Sequence, residues 1–146
     1  MKNMKLIVMA CLLVLLAACG SKAMPEEDKK NGAPQVKNEI PSEKEGVQAE
    51  LALQENSDEA KLTLKNASDK EAGTGTAYAL EKWTDGKWTK VNQNQMFTEQ
   101  MIMVKAGSNY DQAVDLKEQD AGTYRVSKEF FVDEKKEKVA VVFETK

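Results

Sequence analysis

The feature that most constrains this chain is an alternation of apolar and polar side chains that starts at a tight turn. It is clearest in Asp120-Ala-Gly-Thr-Tyr-Arg125 and its continuation Val126-Ser-Lys-Glu-Phe-Phe-Val132. Tyr124, Val126, Phe130 and Val132 share one parity, and Thr123, Arg125, Ser127 and Glu129 share the other. A period of two marks a strand with one buried face and one wet face. Asp120 and Gly122 are turn residues placed just ahead of it. This stretch is therefore expected to be the central strand of the fold.

The same pattern recurs upstream and downstream at near-regular intervals. Val47, Ala49, Leu51 and Leu53 alternate, as do Leu62 and Leu64. Gly73-Thr-Gly75 allows a bend or bulge before a third strand that holds Tyr78 and Leu80 and ends at Trp83. Thr84-Asp-Gly86 is a hairpin turn leading to Trp88 and Val91. Residues 96–104 are apolar with mixed parity, which predicts a bulged or irregular edge strand. Tyr110, Val114 and Leu116 form another inward face. Residues 133–138 read as a charged hairpin loop, and Val139, Val141 and Phe143 complete the last strand. The chain from 47 to 146 thus predicts an all-β antiparallel sandwich of seven to eight strands without a helix. Trp88 or Trp83 is expected to fill space between the sheets.

Composition removes several chemistries. The chain has no histidine, the commonest general base and metal ligand. Its formal charge is −3, and it becomes more acidic without Lys2 and Lys5, so there is no electrostatic footprint for nucleic acid. Gly73-Thr-Gly75-Thr76 lacks the lysine and helix of a phosphate-binding loop. Neither a serine–histidine pair nor a cofactor motif is present, and a small sandwich offers little cleft, so no enzymatic activity and no cofactor are expected.

Residues 1–18 have the form of a signal peptide: Lys2 and Lys5 precede an apolar run from Leu6 to Leu16 that is too short to span a bilayer. The run ends in Leu16-Ala17-Ala18-Cys19-Gly20, which resembles the lipoprotein signal of bacteria. That resemblance implies cleavage before Cys19 and a thioether-linked diacylglycerol on it. The two acyl chains of such an anchor, palmitate among those expected, make attachment lasting, since one chain binds a membrane only marginally. Cys11 would leave with the signal. The exported part would then have no free thiol and no disulfide, and would rest on its apolar core. Residues 19–46 are rich in Lys, Glu, Asn and Pro and read as a flexible, disordered tether. The expected location is the extracytoplasmic face of the cell membrane.

Within residues 47–146 an ordered set of short motifs carries a second resemblance: Leu64-x-Asn66, Gly75-x-x-Tyr78-x-Leu80-Glu81-Lys82, Gly86-x-Trp88, Ala106-Gly107, and Gly122-x-Tyr124-Arg125-Val126. Together they resemble the bacterial immunoglobulin-like domains of Gram-positive envelope proteins. The resemblance implies a sandwich in which Tyr78, Leu80, Trp88, Gly122 and Tyr124 are structural, Tyr124 forming a corner that bonds backbone upstream. It carries over no active site. It implies an envelope location as well, and the function expected there is contact with an envelope protein or polymer. Two rival readings are a proteinase inhibitor of the same sandwich type and a copper-binding lipoprotein.

The copper reading rests on Met101 and Met103, because a Met-x-Met pair offers soft thioether sulfur to Cu(I). Against it stands gap-filling packing at a core or edge, or an adaptable apolar contact surface. Asp111, Asp115, Glu118 and Asp120 lack the spacing of a calcium loop. Asp111 and Asp115 are expected on a solvated face and Asp120 in the turn before Gly122. Arg125, the one arginine, is expected to pair with an acid on a neighbouring strand.

Overall fold

Period-two sequences separated by turn residues can satisfy their backbone groups only by pairing with one another. The computed structural model describes residues 36–146 and realises that pairing as ten strands. They are β1 (Glu43–Lys44), β2 (Val47–Leu53), β3 (Glu59–Asn66), β4 (Ala72–Thr74), β5 (Ala79–Thr84), β6 (Lys87–Lys90), β7 (Ile102–Val104), β8 (Asn109–Asp115), β9 (Gly122–Val132) and β10 (Lys135–Thr145). The expected signal peptide over 1–18, the acylated Cys19 and the first part of the tether lie outside the described residues.

Two antiparallel sheets pack face to face. One has four strands in the order β1-β2-β3-β8; the other has six, in the order β6-β5-β9-β4-β7 with β10 also on β9. The opening stretch of the sequence is the hub of the larger sheet. β9 pairs with β10 along its whole length, from Gly122↔Thr145 to Val132↔Lys135. Its other edge changes partner: Tyr124–Ser127 pair with β5, and Phe130 and Phe131 pair with β4.

The core lies between the sheets. Val47, Ala49, Leu62, Leu64 and Val114 come from the smaller sheet, and Leu80, Tyr124, Val126, Phe130 and Val139 from the larger. Burying each large aliphatic or aromatic side chain is worth about 1.5–3 kcal/mol. Three two-residue turns fix the hairpin registers: Glu45–Gly46, Asp85–Gly86 and Asp133–Glu134, all with positive φ at both positions, as type I′ turns require. Gly46 is doubly constrained, because a Cβ there would also lie 2.8 Å from Ser68 Cβ.

Several expectations change in detail. There are ten described strands rather than seven or eight, because Ala72–Thr74 forms β4 where a bend was expected and Glu43–Lys44 forms β1 inside the stretch read as tether. The loop expected at 133–138 shrinks to the Asp133–Glu134 turn, so Glu137 lies in β10 and is buried. The mixed-parity run at 96–104 yields only the three-residue edge strand β7. Trp83 and Trp88 do not fill the space between the sheets. Trp83 has the opposite parity to the buried Leu80, and it meets its cross-strand partner Trp88 edge-to-face on the outside of the larger sheet, ring centroids 5.0 Å apart.

Candidate functional site

The residues singled out as structural fall into two groups. Tyr124 is wholly buried, and its hydroxyl donates to the carbonyl of Asp120 at 2.7 Å, closing a corner at the start of β9. Burial raises the Tyr124 pKa, while Lys82 pulls the other way. The Lys82 ammonium, 2.6 Å from Asp120 Oδ1, holds that carboxyl below its usual range. Gly122 makes room for this pair, since a Cβ there would meet Lys82 Cε at 2.8 Å. Where β8 ends, just upstream of that corner, the Tyr78 hydroxyl accepts from the Asp115 backbone at 3.0 Å and from Gln95 Nε2 at 2.9 Å. Leu80 is buried on β5, and its N–H donates to Asn92 Oδ1 at 2.9 Å. These contacts tie loops to the sandwich.

Trp88 belongs instead to the outer face of the larger sheet. One half of that face is covered. Arg125 lies over the Trp88 ring, 4.6 Å from guanidinium carbon to centroid, and its Nε and Nη2 reach Glu81 Oε2 at 2.8 and 2.7 Å. This is the expected pairing with an acid on a neighbouring strand. The face itself is not the wet one predicted: Arg125 is only 8% exposed and Ser127 is buried beside it. Residues 37–41, read as tether from composition, supply part of the cover. Trp88 Nε1 donates to the Lys37 carbonyl at 2.7 Å, Arg125 Nη1 reaches Asn38 Oδ1 at 3.5 Å, and the Ala140 N–H donates to the Pro41 carbonyl at 2.9 Å.

The other half of the face is bare. A depression of about 420 Å³ has Ala77, Ala79, Met101 and Phe131 in its lining, with Lys90 and Lys138 among the charged groups beside them. Met101 and Met103 are 61% and 54% exposed, which excludes core packing as their role; Met96 is 93% exposed. Glu129, also on this face, is engaged by Lys136 at 2.8 Å and by Lys138 at 3.8 Å.

Sequence reasoning also missed a charge buried between the sheets. Lys128 shares the parity of Tyr124, Val126 and Phe130, and is 1% exposed between the sheets. Its ammonium donates to the carbonyls of Gly75 at 2.6 Å and Ala77 at 3.0 Å and to Gln112 Oε1, and stands 5.4 Å from the centroid of the Tyr110 ring. Gly75 and Ala77 fall where β9 changes partner from β4 to β5, so no ladder takes those carbonyls. Lys128 satisfies them, and burial lowers its pKa to about 8. Its parity was the available signal; the two carbonyl acceptors, more than fifty residues away in sequence, gave none.

The outer face of the smaller sheet is ordinary by comparison. Thr63 donates to Asp111 at 2.7 Å, Lys61 lies 3.6 Å from Asp111 and Lys65 lies 2.8 Å from Glu50, all exposed. The Thr63 hydroxyl and then Lys61 keep the Asp111 carboxyl below its usual range. Among the described residues, no three or more carboxylate, cysteine or histidine side chains come together to hold a metal ion.

Two sheets, a hub strand and a tyrosine corner are the elements of an immunoglobulin-like sandwich. The family model described as "Bacterial Ig-like domain" matches residues 43–144. The chain belongs to that family. Its Ig-like domain begins at β1, within the stretch whose composition reads as tether. No curated protein matches the chain.

Proposed function

We propose that this protein is a non-catalytic contact domain held by lipid at the extracytoplasmic face of a bacterial membrane of the Gram-positive type, where it binds another envelope protein. The observation that carries the contact reading is the bare half of the larger sheet's outer face. It joins the exposed Met101, Phe131 and small residues in a shallow concavity beside two lysines. A flexible methionine side chain adapts to partner shape, and exposed apolar patches mark interaction sites. Support for the anchor comes from Leu16-Ala17-Ala18-Cys19 at the end of the apolar run. A diacylglycerol on Cys19 would hold the domain near the membrane, on a tether whose root-mean-square span is on the order of 25 Å.

The test is site-specific photo-cross-linking in cells. A photoreactive side chain at Ala79 is expected to capture one dominant envelope protein, whereas the same group at Thr63 on the opposite face captures none. Cys19→Ala is expected to release the protein from the membrane fraction and abolish the adduct. Equal capture from both faces, or no adduct from Ala79, overturns the contact reading. Membrane retention of Cys19→Ala overturns the anchor.

A further inference from the structure

We propose that Met101 and Met103 form a binding site for a soft monovalent cation of the Cu(I) class, held by the two thioether sulfurs above Gly73. The inference goes beyond the contact function and does not rest on it. Its first support is placement. The side chains flank Ile102 on the sheet edge, so both point to the outer face, and both stay more than half exposed. The two side chains are therefore within reach of an ion from solvent.

The second support is convergence. Gly73 pairs across the ladder with Met103 on β7 and with Phe131 on β9. A Cβ on Gly73 would lie 3.2 Å from Met101 Sδ and 3.4 Å from Met103 Sδ. Both sulfurs thus rest on the same spot of the sheet, so close that a side chain on residue 73 would press on them. Gly73 does not have a positive φ, so backbone conformation does not demand it, and an interior strand glycine weakens a strand. The glycine has a use if both thioethers must settle side by side on the sheet edge. Small rotations of the unbranched methionine side chains bring both sulfurs to a shared ion.

The third support is chemistry. Thioether sulfur selects soft ions and discriminates against calcium, magnesium and other oxygen-seeking cations. Thioethers carry no ionisable proton, so binding releases none. The affinity should therefore not follow pH, unlike that of thiolate or imidazole sites. An apolar cover over Gly73 would explain exposed side chains of this size equally well. Leucine would provide that cover too, which makes Met→Leu the discriminating change.

The experiment uses the full chain with Cys11→Ser and Cys19→Ser, which removes competing thiols, and Ag(I) as a redox-stable probe followed through the methionine methyl resonances. Ag(I) is expected to shift the Met101 and Met103 methyls at one equivalent and leave Met96 in place. The affinity is expected to be equal at mildly acidic and neutral pH. Met101→Leu with Met103→Leu should weaken binding about tenfold or more while leaving the urea midpoint unchanged. Gly73→Ala, which keeps both sulfurs but presses on them from the sheet, should weaken it as well and guards against a folding defect in the double variant. Unshifted Met101 and Met103 methyls, undiminished binding by the double leucine variant, or an affinity that titrates with pH would each overturn the site.

Discussion

The two outer faces of the sandwich solve the same problem in opposite ways. On the smaller sheet, charges stand in water and pair loosely across strands: Lys65 with Glu50, Lys61 and Thr63 with Asp111. On the larger sheet, Arg125 is sunk against Trp88 and Glu81 under residues 37–41, and beside it the sheet is left apolar and uncovered. Exposed ion pairs contribute little because water competes for both partners. A pair out of water contributes through what happens when one partner is removed. One face is therefore solvent-facing finish, while the other is part of the structure in one half and exposes an apolar depression in the other.

That contrast can be broken by mutation, and the largest effect should come from Arg125→Ala. It strands the Glu81 carboxylate, uncovers Trp88 and frees Asn38, and is expected to cost about 3 kcal/mol in urea unfolding. A loss no greater than that of a surface substitution would show that the covered half is no better organised than the smaller sheet's face.

Next in size is a pH effect from the inner side of the same strand. The Lys128 pKa falls from an unfolded value of 10.5 to about 8. Between those values the unfolded chain binds more protons, so stability should rise with pH rather than fall. From pH 7 to 10 the gain should be about 2 kcal/mol. The window closes at its upper end, because the pKa values of Tyr110 and Tyr124 are raised by burial and their ionisation then opposes folding. Urea midpoints across this range should rise for the natural chain and stay flat for Lys128→Met. A flat profile in both would place the ammonium in contact with water.

A smaller effect tests the cover itself. Trp88→Phe keeps a ring beneath Arg125 but removes the donor to Lys37, and should cost about 1 kcal/mol. Amide exchange should quicken at residues near 37–41 and leave β9 unaffected. The smallest effect is the control on the other sheet: Glu50→Ala should leave the urea midpoint unmoved.

These sites also mark what a sequence can and cannot reveal. Leu62, Leu64, Val126 and Phe130 announce their face by alternation, and Asp85-Gly86 announces its turn, because both signals are local. Tyr124 at the corner was legible for the same reason, its acceptor being only four residues upstream. The buried face of Arg125 was hidden because its cover comes partly from the backbone of Lys37 and Pro41, and carbonyl groups leave no mark on composition. The position of Trp83 was readable from its odd spacing to Leu80, but the size of the side chain argued for the interior. The candidate site was half legible: Met101 and Met103 stood out as a pair, while Gly73 beneath them is brought there only by the β4–β7 ladder.

The attachment of residues 37–41 has a mechanical meaning. A pull along the chain from residue 36 reaches the domain first at the Trp88–Lys37 and Ala140–Pro41 hydrogen bonds, then at the two-residue ladder of β1. These contacts are few and in sequence, so they give way one after another, while the eleven-residue β9–β10 ladder lies behind them. The domain therefore carries a short length of slack stored on its own surface. Strain on the chain would spend that length, lifting the cover from Arg125, before it tested the fold.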